Sequence, residues 1–132
     1  MMDLSTIEAG VACRRTQILL VDDDEVSCIA IGRILREAGF GVTSAHGFQT
    51  ALKVLETEQP VDLLVTDIVM RAGVNGIALS RMARLRRRNL KVVYVTGYDV
   101  PGAEREALGP ILRKPVDGAL LVRKVEQALA AV

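Results

Sequence analysis

Ile18-Leu19-Leu20-Val21-Asp22-Asp23-Asp24-Glu25 sets four apolar residues directly against four acids. A short apolar run with no polar alternation is expected of a strand covered on both faces, the usual condition in a parallel sheet. The acids would then stand where that strand leaves the core. Downstream, Ser27, Ile31, Ile34, Leu35 and Ala38 recur at helical spacing and stop at Gly39, a C-terminal capping signal. A buried strand, an acidic turn and an amphipathic helix thus open the pattern.

The same unit repeats along the chain. Val42 to Ala45 is a weaker strand, and Phe48, Ala51, Leu52 and Leu55 form a second helical stripe closed by Pro60. Val61 to Thr66 reads as strand three, with Ala78, Leu79, Met82 and Leu85 as the stripe of helix three. Lys91 to Val95 is strand four, and Pro101 to Leu108 has room only for a short helix. Ile111 to Arg113 is strand five, and Leu121, Val125, Ala128, Leu129 and Val132 share one side of a last helix. All these stripes are expected to be core. Five β/α units predict a three-layer α/β sandwich around a five-stranded parallel sheet. Crossover handedness leaves the flavodoxin-like order 2-1-3-4-5 as the expected topology. Residues 1–16 show no period and are read as an N-terminal extension, with one domain over 17–132.

Composition narrows the classes. The 132 residues are 50% hydrophobic, enough for one packed core. With 17 basic against 16 acidic side chains, the net charge of +1 gives no general reason to expect nucleic acid or an anionic membrane as partner. The apolar runs are too short to span a bilayer, and no charged-then-apolar leader opens the chain. Cys13 and Cys28 have neither metal spacing nor partners for a disulfide framework, so a reduced, cytoplasmic setting is expected. Cys28 is expected to be a partly buried packing residue.

In such a sheet, ligands gather at the carboxyl ends of the strands, where strand order reverses. Asp22 to Glu25 follow strand one, Asp67 follows strand three, Thr96-Gly97 strand four and Lys114-Pro115 strand five. Carboxylates held close together repel, and a divalent cation relieves this; clustered carboxylate oxygens suit Mg²⁺. Lys114 and the Thr96 hydroxyl could hold phosphoryl oxygens, leaving Asp67 as the nucleophile that becomes an aspartyl phosphate. Each residue also has a plainer reading. The acids favour a helix N-terminus, Asp67 could cap a loop, Thr96-Gly97 could be a turn, and Lys114-Pro115 a strand-to-helix join. Their joint placement at one rim favours the site. Arg81, Arg84, Arg86, Arg87, Arg88 and Lys91 cluster at the end of helix three, as a solvated helix C-terminus or as a docking patch for an acidic partner. His46 reads as a surface loop residue.

These motifs (Ile18 to Asp24, Asp62 to Asp67, Val95-Thr96-Gly97 and Lys114-Pro115) resemble those of receiver domains of the two-component response-regulator family, over roughly Thr16 to Val132. The resemblance implies Asp67 as phosphoacceptor. It implies Mg²⁺ held by Asp23, by Asp22 through water, by Asp67 and by the backbone carbonyl of Val69. Thr96 would follow the phosphoryl group and Lys114 would be the site's cation, its bond to Pro115 commonly cis. A histidine kinase or histidine phosphotransfer protein would supply the phosphoryl group to a monomer or weak homodimer. Beyond weak self-phosphorylation and self-dephosphorylation, no enzyme activity is implied.

Three departures stand out. Arg71 takes the place usually held by proline in the loop after Asp67, and the segment from Thr96 to Lys114 is short by about one helical turn. Ile111 stands where most relatives have Tyr or Phe three residues before the lysine, so the usual aromatic rotation cannot report activation. Val95-Thr96-Gly97-Tyr98 resembles instead a subset of stand-alone receivers with a loose fourth helix, which makes Tyr98, or residues 97–109, the expected carrier of the signal. The positions that often tune loss of the phosphoryl group hold Val69 and Tyr98, neither charged, so slow self-dephosphorylation is expected. Other functions fit less well. A phosphatase would want a carboxylate where Val69 stands, and a nucleotide or flavin site would not tolerate an Asp-Asp-Asp-Glu loop against phosphate. A degenerate receiver that binds partners without phosphorylation is the serious alternative. A chain of this length is expected to carry no output domain and to act by docking or by passing its phosphoryl group onward.

Overall fold

Five short strands form one sheet: β1 (Gln17–Val21), β2 (Gly41–Ala45), β3 (Leu63–Asp67), β4 (Lys91–Thr96) and β5 (Ile111–Arg113). All pairs are parallel, in the order β2-β1-β3-β4-β5, as the alternation predicts. The helices are α1 (Glu25–Glu37), α2 (Phe48–Glu56), α3 (Gly76–Arg86), α4 (Gly102–Leu108) and α5 (Gly118–Ala130). The computed structural model describes residues 15–71 and 75–131. Thus most of the N-terminal extension, with Cys13, and the last apolar position, Val132, lie outside the described residues.

The sheet is buried on both faces because its strands offer apolar side chains on both. Leu19, Val21, Leu64, Val92 and Tyr94 pack with α2 and α3 through Ala51, Leu55, Leu79 and Ala83. Ile18, Leu20, Leu63, Val65, Val93 and Val95 pack on the other face with α1 and α5 through Cys28, Ile31, Leu35, Leu121 and Val125. Side chains that alternate along a strand therefore serve two cores. Helix α1 stops as expected, with Gly39 at φ 99 and the amides of Gly39 and Phe40 returning to Arg36 and Leu35. The fourth helix is short, at seven residues.

Some boundaries and faces differ from the sequence reading. Strand three begins at Leu63, because Asp62 is used otherwise: its carboxylate accepts the Gln17 amide at 2.8 Å and its own amide donates to the Gln17 carbonyl. Ala38 is the exposed C-cap of α1 and not part of its buried stripe. In α3 the expected stripe holds only in part: Leu79 is fully buried and Ala78 half-buried. Met82 is 37% and Leu85 85% exposed, while Gly76, Leu79, Ser80 and Ala83 face inward. Apart from Leu79 that inward face is made of small residues, with Gly76 pressed against the Asp67 backbone, and the larger Met82 and Leu85 draw a misleading stripe. Cys28 is fully rather than partly buried, and that burial pushes its thiol pKa up.

Candidate functional site

Register brings the polar residues to one rim. Val21 pairs with Thr66, Asp67 with Val95, and Thr96 with Arg113, so Asp22, Asp67, Thr96 and Lys114 emerge at neighbouring levels. The ladder continues past the strand ends, with the Lys114 amide donating to the Thr96 carbonyl at 2.8 Å. The Lys114–Pro115 peptide is cis.

The four acids after β1 divide their work. Asp24 is the N-cap of α1: its carboxylate accepts from the Ser27 hydroxyl at 2.7 Å and from the Ser27 amide at 3.4 Å. The hydroxyl bond, foremost among several causes, holds the Asp24 carboxyl below its ordinary value. Asp22 and Asp23 turn into the pocket. Asp22 is completely buried, and its carboxylate accepts from Lys114 at 2.8 Å and from the Asp24 amide at 2.9 Å. The helix N-cap reading of this run thus belongs to Asp24, while Asp22 and Asp23 converge with Asp67.

Lys114 Nζ also reaches Asp67 at 3.1 Å, while the other oxygen of Asp67 accepts the Val69 amide at 3.3 Å. Burial works to lower the Lys114 pKa, but its bonds to Asp22 and Asp67, and their charges, outweigh it and hold the pKa above the ordinary value. Burial pushes the Asp67 carboxyl up, with the charge of Asp22 adding to it and Lys114 only partly offsetting it. One ligand atom from each of Asp22, Asp23 and Asp67 lies within 4.8 Å of the others. Lys114 touches Asp22 and Asp67 but not Asp23, and the three carboxylates offer only hard oxygen donors. This acidic triad fits a Mg²⁺ site.

Thr96 is buried at the same rim, and its hydroxyl oxygen accepts the Tyr98 amide at 3.2 Å. Tyr98 itself is exposed, as is Val69. The family model for the response regulator receiver domain matches residues 18–126. The chain belongs to the response-regulator receiver family. This receiver is 33% identical over 119 residues to the response regulator receiver protein CpdR of Brucella abortus, covering 87% of the chain and 98% of that protein. It is 34% identical to the transcriptional regulatory protein ZraR of Escherichia coli over 86% of the chain, but spans only 26% of that longer protein. Among solved structures, the receiver protein from Sinorhizobium medicae superposes with a TM-score of 0.80 at 31% identity, over 89% of this chain and 97% of that one.

The receiver family is typically a non-catalytic phosphoacceptor served by a histidine kinase or phosphotransfer protein. Among the described residues, no helix is long and apolar enough to cross a membrane.

The basic cluster is largely spent on structure. Arg87 donates to the carbonyls of Leu55, Thr57 and Gln59, which closes the end of α2. Arg84 donates to Leu90, Arg86 to Met82 and Glu56, and Lys91 to Ala131 beyond α5. His46 is exposed, as expected.

Sequence reasoning missed two features of the rim. Gly76 presses against the Asp67 backbone, and Arg71 pairs with Asp23. The Asn75-Gly76 pair before a helix is the available signal for the first; for the second the sequence shows only that Arg71 replaces the usual proline.

Proposed function

We propose that Asp67 accepts a phosphoryl group from a partner's phosphohistidine, and that this changes which proteins the receiver docks with. The new bond joins an Asp67 oxygen to phosphorus; the donor's N–P bond breaks, its electron pair returning to the imidazole. The observation that carries the reading is the shared lysine. Lys114 touches both Asp22 and Asp67 and can follow the charge when one Asp67 oxygen becomes part of an acyl phosphate.

Asp22, Asp23, Asp67 and the Val69 carbonyl would hold Mg²⁺, with Asp22 acting through water. The ion would supply charge neutralisation for phosphoryl oxygens. Thr96, buried and anchored to Tyr98 through its oxygen, keeps its own proton to donate to a phosphoryl oxygen. Val69 and Tyr98 carry no charge with which to activate water, which supports slow loss of the phosphoryl group.

The test is intact mass after incubation with Mg²⁺ and a small phosphodonor, beside Asp67→Asn. A single phosphoryl adduct on the wild type alone is expected. No adduct, or an equal one on Asp67→Asn, would overturn the reading and leave phosphorylation-independent docking.

A further inference from the structure

Asp22 and Asp67 share Lys114, but Asp23 has a different counter-charge. Its Oδ2 accepts the Arg71 amide at 2.7 Å, and the Arg71 Nε stands 3.7 Å from the same oxygen. Among the described residues, Arg71 is the one cation paired with Asp23 and its one hydrogen-bond donor. Arg71 lies four positions past Asp67, in the stretch that also carries Val69. A proline at this position could not make the amide bond, having no N–H, and would bring no charge.

The guanidinium is 81% exposed on its side chain, whereas the Asp23 carboxylate is 18% exposed. The cation thus sits at the mouth of the pocket and its partner inside. An oxygen that ligates a divalent ion gains nothing from a guanidinium beside it, because the two cations repel. The amide bond is compatible with a ligating carboxylate; the guanidinium contact is the competing one.

We infer that Arg71 is a built-in counter-ion for Asp23, one that holds down the site's affinity for Mg²⁺ and leaves Asp23 when the site fills. This rests on the reading of Asp22, Asp23 and Asp67 as the Mg²⁺ site. Linkage makes the effect reciprocal: an acidic partner group that draws Arg71 away from Asp23 tightens Mg²⁺ binding by the same factor by which Mg²⁺ tightens that partner. Arg71 is a tuning residue; it holds no phosphoryl oxygen in this argument.

The size of the effect is bounded by the exposure of the guanidinium. Exposed pairs contribute up to about 1 kcal/mol, which corresponds to about fivefold in a dissociation constant.

Calorimetric titration of Mg²⁺ into wild type, Arg71→Ala and Arg81→Ala at low ionic strength tests the inference. Arg71→Ala keeps the amide that bonds Asp23 and removes the guanidinium; Arg81 is an exposed arginine on α3 that controls for net charge. The expected result is about two- to fivefold tighter binding for Arg71→Ala, unchanged binding for Arg81→Ala, and a gap that narrows as salt is raised. Equal or weaker affinity in Arg71→Ala, with wild type binding normally, would overturn the role of Arg71 and leave the Mg²⁺ site standing. Equal tightening in Arg81→Ala would reduce the effect to net charge and also overturn it. Absence of Mg²⁺ binding in all three would overturn the site reading itself.

Discussion

Gly76 stands so close to Asp67 that a β-carbon on it would lie 2.0 Å from the Asp67 carbonyl oxygen. That carbonyl already accepts the Thr66 hydroxyl, and the Gly76 amide donates to the neighbouring Ile68 carbonyl at 2.8 Å. Backbone, not a flexible side chain, meets any substitution here. Gly76→Ala should therefore cost about 1–3 kcal/mol, and lower phosphoryl uptake in the molecules that remain folded. Thermal melts by circular dichroism and intact mass after phosphodonor treatment read the two effects separately.

A second prediction concerns charge. The Asp67 pKa lies above its ordinary value, so Asp67 favours the fold most at acid pH and this contribution is lost as pH rises through its folded pKa. At neutral pH without divalent ions, the buried Asp67 carboxyl is therefore a net cost to the fold. Asp67→Asn should melt a few degrees higher than wild type at pH 7, with the gain shrinking toward pH 4. In the wild type the contribution of Lys114 survives until alkaline pH, where it is lost as pH passes its raised pKa. Added Mg²⁺ should stabilise wild type more than Asp67→Asn. Melting curves across pH, with and without Mg²⁺, decide it.

Tyr98 gives a third. Its amide holds the Thr96 hydroxyl oxygen, while its ring is 64% exposed beside the pocket. With Ile111 in place of an aromatic, this segment has the direct link to Thr96. Tyr98→Ala should leave phosphoryl uptake intact and weaken phosphorylation-dependent partner binding. Unchanged binding to a partner that tells the two forms apart would remove the tyrosine from the switch.

In the core, Ser80 donates its hydroxyl to the Ile77 carbonyl at 2.8 Å, so the 2.6 Å contact with Tyr94 must have the tyrosine as donor. Tyr94→Phe then deletes only a donor and should cost about 1 kcal/mol. Ser80→Ala strands a buried phenol hydroxyl and should cost more, about 1–3 kcal/mol. The double variant should cost less than the two summed, a coupling that a double-mutant cycle in urea measures directly.

Arg87 offers the fifth. Losing three carbonyl contacts at the end of α2 should lower stability by about 2 kcal/mol in Arg87→Ala. Arg87→Lys should recover little, since an ammonium cannot reproduce the fork. A lower urea midpoint at unchanged slope, with phosphoryl uptake intact, is the expected result.

Much of this architecture was legible. Ile18 to Val21 and Val92 to Val95 are buried on both faces and read as unbroken apolar runs, so strand order and the polar rim followed. Contacts made by backbone or by small residues were harder to see. Ser80 and Ala83 face the core of α3 while Leu85 points outward, because space beside the sheet, not hydrophobicity, decides which residues fit. Arg87 looked like solvated charge because its partners are carbonyls of α2 and the turn after it, about 30 residues away and silent in a sequence. Arg71 was visible, but its partner Asp23 is 48 residues earlier and belongs to a motif with a reading of its own.

The pins set by Arg87 and Lys91 lie at the end of the sheet opposite the pocket, and they divide the molecule by stiffness. Buried β3 and β4, anchored at that end, should surrender their amide protons only on global unfolding. Helix α4 has seven residues, and of its described side chains only Leu108 is half-buried, so its amides should exchange through cheap local opening. A displacement of Thr96 would thus meet a firm base on one side and, just beyond Tyr98, the part of the chain that can be rearranged at least cost.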